Sequence, residues 1–209
     1  MTMTEPTRLA NRRLTTRRAL AAGVACVALA ACATTYIKPT TTTNPPPSEK
    51  LAGFSSFELQ PIALAAAYQG SNANDKAAAK IQEHLTQRLN PLISAWKRES
   101  GANARTLVIS PRIEHIKFIG GGARFWAGAL AGSSAVIMKV RLQDKATGQV
   151  IAEPEFFQRA AAMSGAWTIG GQDNAMLSRV ADLISNYLSG NYDAAVGGPS
   201  GATEEFVKG

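Results

Sequence analysis

The chain has 209 residues, 45% of them apolar and 18% charged, with a formal net charge of +7. That length supplies one domain able to bury a core of its own once the terminal segments are set aside. Five of the 22 basic residues (Arg8, Arg12, Arg13, Arg17, Arg18) and one of the 15 acidic ones (Glu5) precede residue 32, leaving 17 against 14, a balance of +3 with no electrostatic footprint for DNA or RNA.

Residues 12–32 (RRLTTRRALAAGVACVALAAC) run from a basic head through the uncharged stretch Ala19–Ala31 to Cys32. That order marks an export signal. Thirteen uncharged residues are too few for a membrane-spanning helix, which needs about 20. The ending Leu29-Ala30-Ala31-Cys32 resembles the lipobox of bacterial lipoproteins, in which the cysteine becomes the acylated first residue of the mature chain. The alternative is plain cleavage at an Ala-x-Ala-like site, leaving a soluble periplasmic protein. Thr16-Arg17-Arg18-Ala19-Leu20 partly matches a twin-arginine signal, so the export route stays open. Cys26 leaves with the signal, and no cysteine besides Cys32 remains for a disulfide, a thiol nucleophile or a zinc site. Acylation by two or more chains would make the anchor durable, since each buried methylene contributes about 0.8 kcal/mol. Ala33 is not the aspartate that resembles an inner-membrane retention signal, so the expected address is the periplasmic face of the outer membrane.

Four segments follow: a signal peptide over 1–31, a lipidated N-terminus with a Thr/Pro-rich tether over 32–50, a folded domain over 51–192, and a flexible tail over 193–209. Ala33–Lys50 lacks an apolar period and contains Pro45-Pro46-Pro47, which predicts an extended spacer. At about 3.1 Å per residue such a spacer reaches ~50 Å from the bilayer. Phe54–Leu64 reads as a first strand with Pro61 near its end. Ala78, Ile81, Leu85, Leu89, Leu92 and Trp96 recur at three to four residues, predicting a helix capped by Asp75 and running to about Glu99. Pro91 should kink or divide it. Thr106–Ile119 reads as a strand whose apolar residues change parity, which predicts a bulge near Glu114. Ser134–Gln143 alternates cleanly, and Asp144–Gly148 has the length and glycine of a hairpin loop. Gln149–Ala162 should return antiparallel with a break at Pro154, and a last helix should run from Asp173 to Gly190. The expected fold is α+β. Its mixed, mostly antiparallel sheet has about four strands and two helices packed on one face, the first two strands being parallel across a helical crossover.

Chemistry-bearing motifs are few. Gly120–Ser134 (GGGARFWAGALAGSS) has no lysine in the phosphate-loop position, and Phe125 displaces the third glycine of a dinucleotide fingerprint. Two readings remain. The segment is an exposed interaction loop presenting Arg124, Phe125, Trp126 and Leu130, or a strand connection whose aromatics return to the core. His84 falls on the polar side of the first helix, and His115 sits beside Glu114 at the strand bend. Neither belongs to a metal or nucleophile motif. No cofactor, no metal and no enzymatic activity are expected.

The lipobox, the short tether, the β-α-β core and the late helix together are similar to bacterial lipoproteins catalogued as a domain of unknown function, the DUF4410-type lipoproteins. So are Gly132-Ser133-Ser134, the VIMKVRLQD strand and the D-x-x-T-G-x-V hairpin (Asp144–Val150). The resemblance covers about Phe54–Tyr192 and brings no catalytic residues. It implies an outer-membrane lipoprotein acting as a non-enzymatic binding or assembly module. Its expected partners are the membrane, through the lipid anchor, and an envelope protein. The alternative is a periplasmic carrier of a small apolar ligand held between sheet and helices.

Overall fold

The computed structural model describes residues 37–98, 104–118, 133–160 and 171–208. Among these residues eight strands and three α-helices follow in order: β1 Thr43–Asn44, β2 Ser56–Leu59, β3 Ala63–Leu64, α1 Asn72–Trp96, β4 Thr106–Lys117, β5 Ala135–Asp144, β6 Val150–Ala152, β7 Glu155–Arg159, α2 Gly171–Gly190, β8 Gly198–Pro199 and α3 Glu204–Lys208. Six strands form the main sheet, in four lanes. β2 and β3 lie end to end along one side of β4, both parallel to it, while β6 and β7 lie end to end along β5, both antiparallel. The α+β class and the mixed, largely antiparallel sheet are those the sequence predicts.

Local chemistry explains the interruptions. The predicted first strand divides at Gln60–Ile62 because Pro61 has no N–H to donate. Gln60 N still bonds Ile109 O at 2.9 Å, but Ile62 N donates to Gln82 Oε1 of α1 at 2.9 Å instead. The register of β4 on β5 shifts between Ile113 and His115, leaving Glu114 as the extra residue. That bulge lets Ile113 and Ile116 both enter the core. In the β5–β6 turn Asp144 Oδ1 accepts Ala146 N at 2.8 Å and Thr147 N at 3.2 Å. Gly148 then takes a φ of +74°, where a side chain would be strained.

Helix α1 buries the stripe Ala77, Ala78, Ile81, Leu85 and Leu89, four-residue spacing that places one face on the sheet. Two expectations for this helix need correction. It begins at Asn72, so Asp75 lies in the first turn rather than at the cap, and Pro91 does not divide it, since it continues to Trp96. Pro91 is exposed, and the carbonyl it leaves without a donor belongs to exposed Gln87, where water can satisfy it. Helix α2 buries Met176, Val180, Ile184 and Leu188 in the same core as Leu107, Ile109, Met138 and Leu142 of the sheet. Arg88 ties the helices together: Nε bonds Asp182 at 2.5 Å, Nη2 bonds Ser178 at 2.8 Å, and Nη1 bonds the His84 carbonyl at 3.0 Å.

The termini depart furthest from expectation. Within the predicted tether, residues from Ile37 onward are packed into the domain, and the predicted flexible tail returns as β8 and α3. β1 pairs antiparallel with β8. Ser48 N bonds Ile151 O at 2.9 Å, and Phe157 N bonds Ser200 O at 2.8 Å, so the two terminal segments cover the edge that β6 and β7 would otherwise expose. An uncovered edge is a hazard, and these backbone bonds give polar, aperiodic sequences a reason to order.

Candidate functional site

Helices α1 and α2 cover one face of the sheet. On the other, the N-terminal segment crosses the upper rows as a strap. Ile37 packs with Ala135, Ile137 and Phe157, joined by Ala202 and by Phe206 of α3. These residues have the opposite parity to Val136, Met138 and Phe156 of the main core. The strap then turns across β7. Thr40 donates its N–H and its hydroxyl to Glu155 Oε1, at 2.7 and 3.0 Å. Asn44 bonds the Glu155 backbone, and the Tyr187 hydroxyl donates to Pro45 O at 2.9 Å. Burial pushes the Tyr187 phenol up to about 12.

Arg105 fastens the far end of the strap. Its guanidinium makes a two-pronged contact with Glu49, both bonds at 2.7 Å, and Nε bonds Asp144 Oδ2 at 2.8 Å. It also lies over the Phe54 ring, 4.3 Å from the centroid. Hydrogen bonding to Arg105 holds both carboxyls below the usual range, and those bonds keep Arg105 charged.

Below the strap the open face is polar and exposed. Moving down β4 and β5, Ile137 stands opposite His115, Lys139 opposite Arg112, and Arg141 opposite Ser110. His115, Arg112 and Arg141 are exposed, and Lys139 is half-buried. His115 Nδ1 lies 3.0 Å from the Tyr68 hydroxyl with the rings edge to face. His84 is half-buried on α1 rather than fully solvated, and its backbone carbonyl serves Arg88. The two histidines are not brought together as a site. Among the described residues no cluster of three or more His, Cys, Asp or Glu could hold a metal ion, and no helix is long and apolar enough to cross a membrane.

Cys32 and the loop residues Arg124, Phe125, Trp126 and Leu130 lie outside the described residues. The strands that bracket the loop end at Lys117 and begin again at Ala135. Lys117 and Ala135 are paired at those ends, and Ala135 belongs to the same apolar cluster as Ile37. What the sequence leaves unread is the basic row Arg112–Lys139–Arg141. The alternation of Lys139 and Arg141 is visible in VIMKVRLQD, but the partner strand and its register are needed to place Arg112 beside them.

Several solved structures are similar. The PelC dodecamer from Paraburkholderia phytofirmans is 18% identical, with a TM-score of 0.40 over 66% of this chain and 91% of that one. A DUF330 protein from Xanthomonas campestris is 10% identical, with a TM-score of 0.41 over 73% of this chain and 91% of that one. The minor lipoprotein from Acinetobacter baumannii is 14% identical, with a TM-score of 0.34 over 66% of this chain and 94% of that one. No family model matches the chain, and no curated relative matches it.

Proposed function

We propose that the protein is an envelope lipoprotein, exported by its N-terminal signal, acylated at Cys32 and held at the periplasmic face of the outer membrane. There it serves as a non-enzymatic binding or assembly module of the DUF4410 type. The observation that carries this reading is the order of basic head, 13-residue uncharged run and Leu29-Ala30-Ala31-Cys32. A strap that orders the chain from Ile37 onward suits an anchored domain. On this reading Phe125, Trp126 and Leu130 contact an envelope protein or the lipid surface.

Cell fractionation and intact mass of wild type and Cys32→Ser test the anchor. The expected wild-type mass is that of residues 32–209 plus acyl groups, in the membrane fraction, with the variant released from it. A variant that still pellets with membranes sinks the claim. Photo-crosslinking from position 126 in cells tests the loop: a discrete protein or lipid adduct supports a contact surface, and no adduct removes it.

A further inference from the structure

The open face of the sheet carries a charge arrangement that folding alone does not favour. Arg112 and Lys139 stand directly opposite each other on β4 and β5, and like charges in that position destabilise a sheet. Arg141 extends the same face by one row and is exposed. The nearby carboxylates only partly offset these cations. Glu114 meets Arg112 at 3.4 Å. Glu155, opposite Lys139, is 6% exposed, with Oε1 engaged by Thr40. Among the described residues neither Lys139 nor Arg141 has an ion-pair partner.

We propose that the row Arg112–Lys139–Arg141 is a docking surface for the anionic headgroups of the bilayer that holds Cys32, a step that rests on the lipoprotein reading above. Two observations select lipid over another occupant. Ile37, the described residue nearest Cys32 in the chain, packs on this face of the sheet, the one that carries the basic row. Only residues 33–36 separate Cys32 from Ile37, and fully extended chain spans at most about 18 Å across that interval. A connection that short limits how far Ile37, and with it this face, can stand from the bilayer surface. The cations of that face then come within reach of a surface potential that decays over a Debye length of about 8 Å. Arginine's planar fork matches phosphate oxygens, and lysine adds a point charge.

The test uses the full lipidated protein inserted into preformed vesicles of phosphatidylcholine, alone or with about 30 mol% phosphatidylglycerol. After flotation, lysine acetylation is followed by peptide mass spectrometry, with Lys76 on exposed α1 as internal control. Lys139 should label about three- to tenfold more slowly in the anionic vesicles at low salt, lose that protection at high salt, and keep less of it in Arg141→Gln. Lys76 should label equally in both. Equal labelling of Lys139 on floated protein overturns the docking surface alone, as does protection that requires an added envelope protein. Protein that fails to float overturns the anchor and the docking surface together.

Discussion

Asn44 stands in for a strand residue opposite Glu155: its Nδ2 donates to Glu155 O and its Oδ1 accepts Glu155 N, both at 2.8 Å. Asn44 is 5% exposed, so neither backbone group of Glu155 has water to fall back on. Asn44→Ala leaves a donor and an acceptor buried and unpaired, at about 1–3 kcal/mol each, and should cost about 2–6 kcal/mol in all. Asn44→Asp retains the acceptor but turns a buried carboxylate oxygen toward the Glu155 carbonyl, so at neutral pH it should cost at least as much as alanine. Urea unfolding midpoints of the three chains, compared at constant slope, check the order.

Where the C-terminal segment crosses the strap, two glycines are required for different neighbours. Gly197 has φ +77°, and a Cβ there would meet the backbone O of Asn44. Gly201 has φ +87°, and its Cβ would meet Phe157 O and Leu183 Cδ1. Gly70 has nearly the same φ, +76°, with nothing within 4 Å. Gly70→Ala should therefore cost only the conformational strain, about 1 kcal/mol, while Gly197→Ala and Gly201→Ala should lose at least about 2 kcal/mol more through backbone displacement. Equal losses at all three positions, read from thermal midpoints, would remove the crowding argument.

The elements legible in the sequence are those whose order comes from an apolar period. The stripe Ile81-Leu85-Leu89 and the alternation through Val136, Met138 and Val140 each specify a face. The parity change after Ile113 marks the bulge at Glu114 because a residue must be skipped to keep Ile116 inside. The strap has no such period. Its hold comes from backbone bonds, from the Asn44 amide and from Thr40 on Glu155, contacts spanning 111 and 115 residues. Threonine- and proline-rich composition describes an extended chain correctly but cannot say that the chain lies against an edge needing cover. The basic row is hidden for a related reason: Arg112 meets Lys139 only through strand register, which composition does not encode.

The Arg105 cluster predicts how stability responds to acid. Arg105 lowers the carboxyls of Glu49 and Asp144. A carboxyl depressed in the folded state stabilises above its unfolded pKa, and that contribution disappears as pH falls through the folded value. Unfolding free energy should therefore be level above about pH 5.5 and decline below about pH 5 as both groups take up protons. Arg105→Met should lower the plateau and flatten the decline, leaving a residual slope from Glu83, which Lys80 also lowers. Urea titrations at half-unit pH steps separate the two. An unchanged acid slope in Arg105→Met would mean that the cluster does not set the acid response.

Alkaline pH probes the other end of the strap through Tyr187. The phenol lies against the Phe156 ring edge to face, 5.8 Å between centroids, and its hydroxyl donates to Pro45 O. Its pKa, pushed up to about 12 by burial, exceeds the unfolded value near 10. Between those values the unfolded chain loses the proton while the folded chain keeps it, so stability should fall as pH rises from about 10 toward 12. Tyr187→Phe keeps the ring contact and removes both the hydroxyl bond and the titration. At neutral pH it should cost about 1 kcal/mol, the net value of one hydrogen bond with its carbonyl partner left unpaired. Above pH 10 the variant should lose less stability per pH unit than wild type, until the two curves converge or cross. Parallel curves throughout would show that the phenol ionises with equal ease in both states, and would contradict the burial of its hydroxyl against the strap.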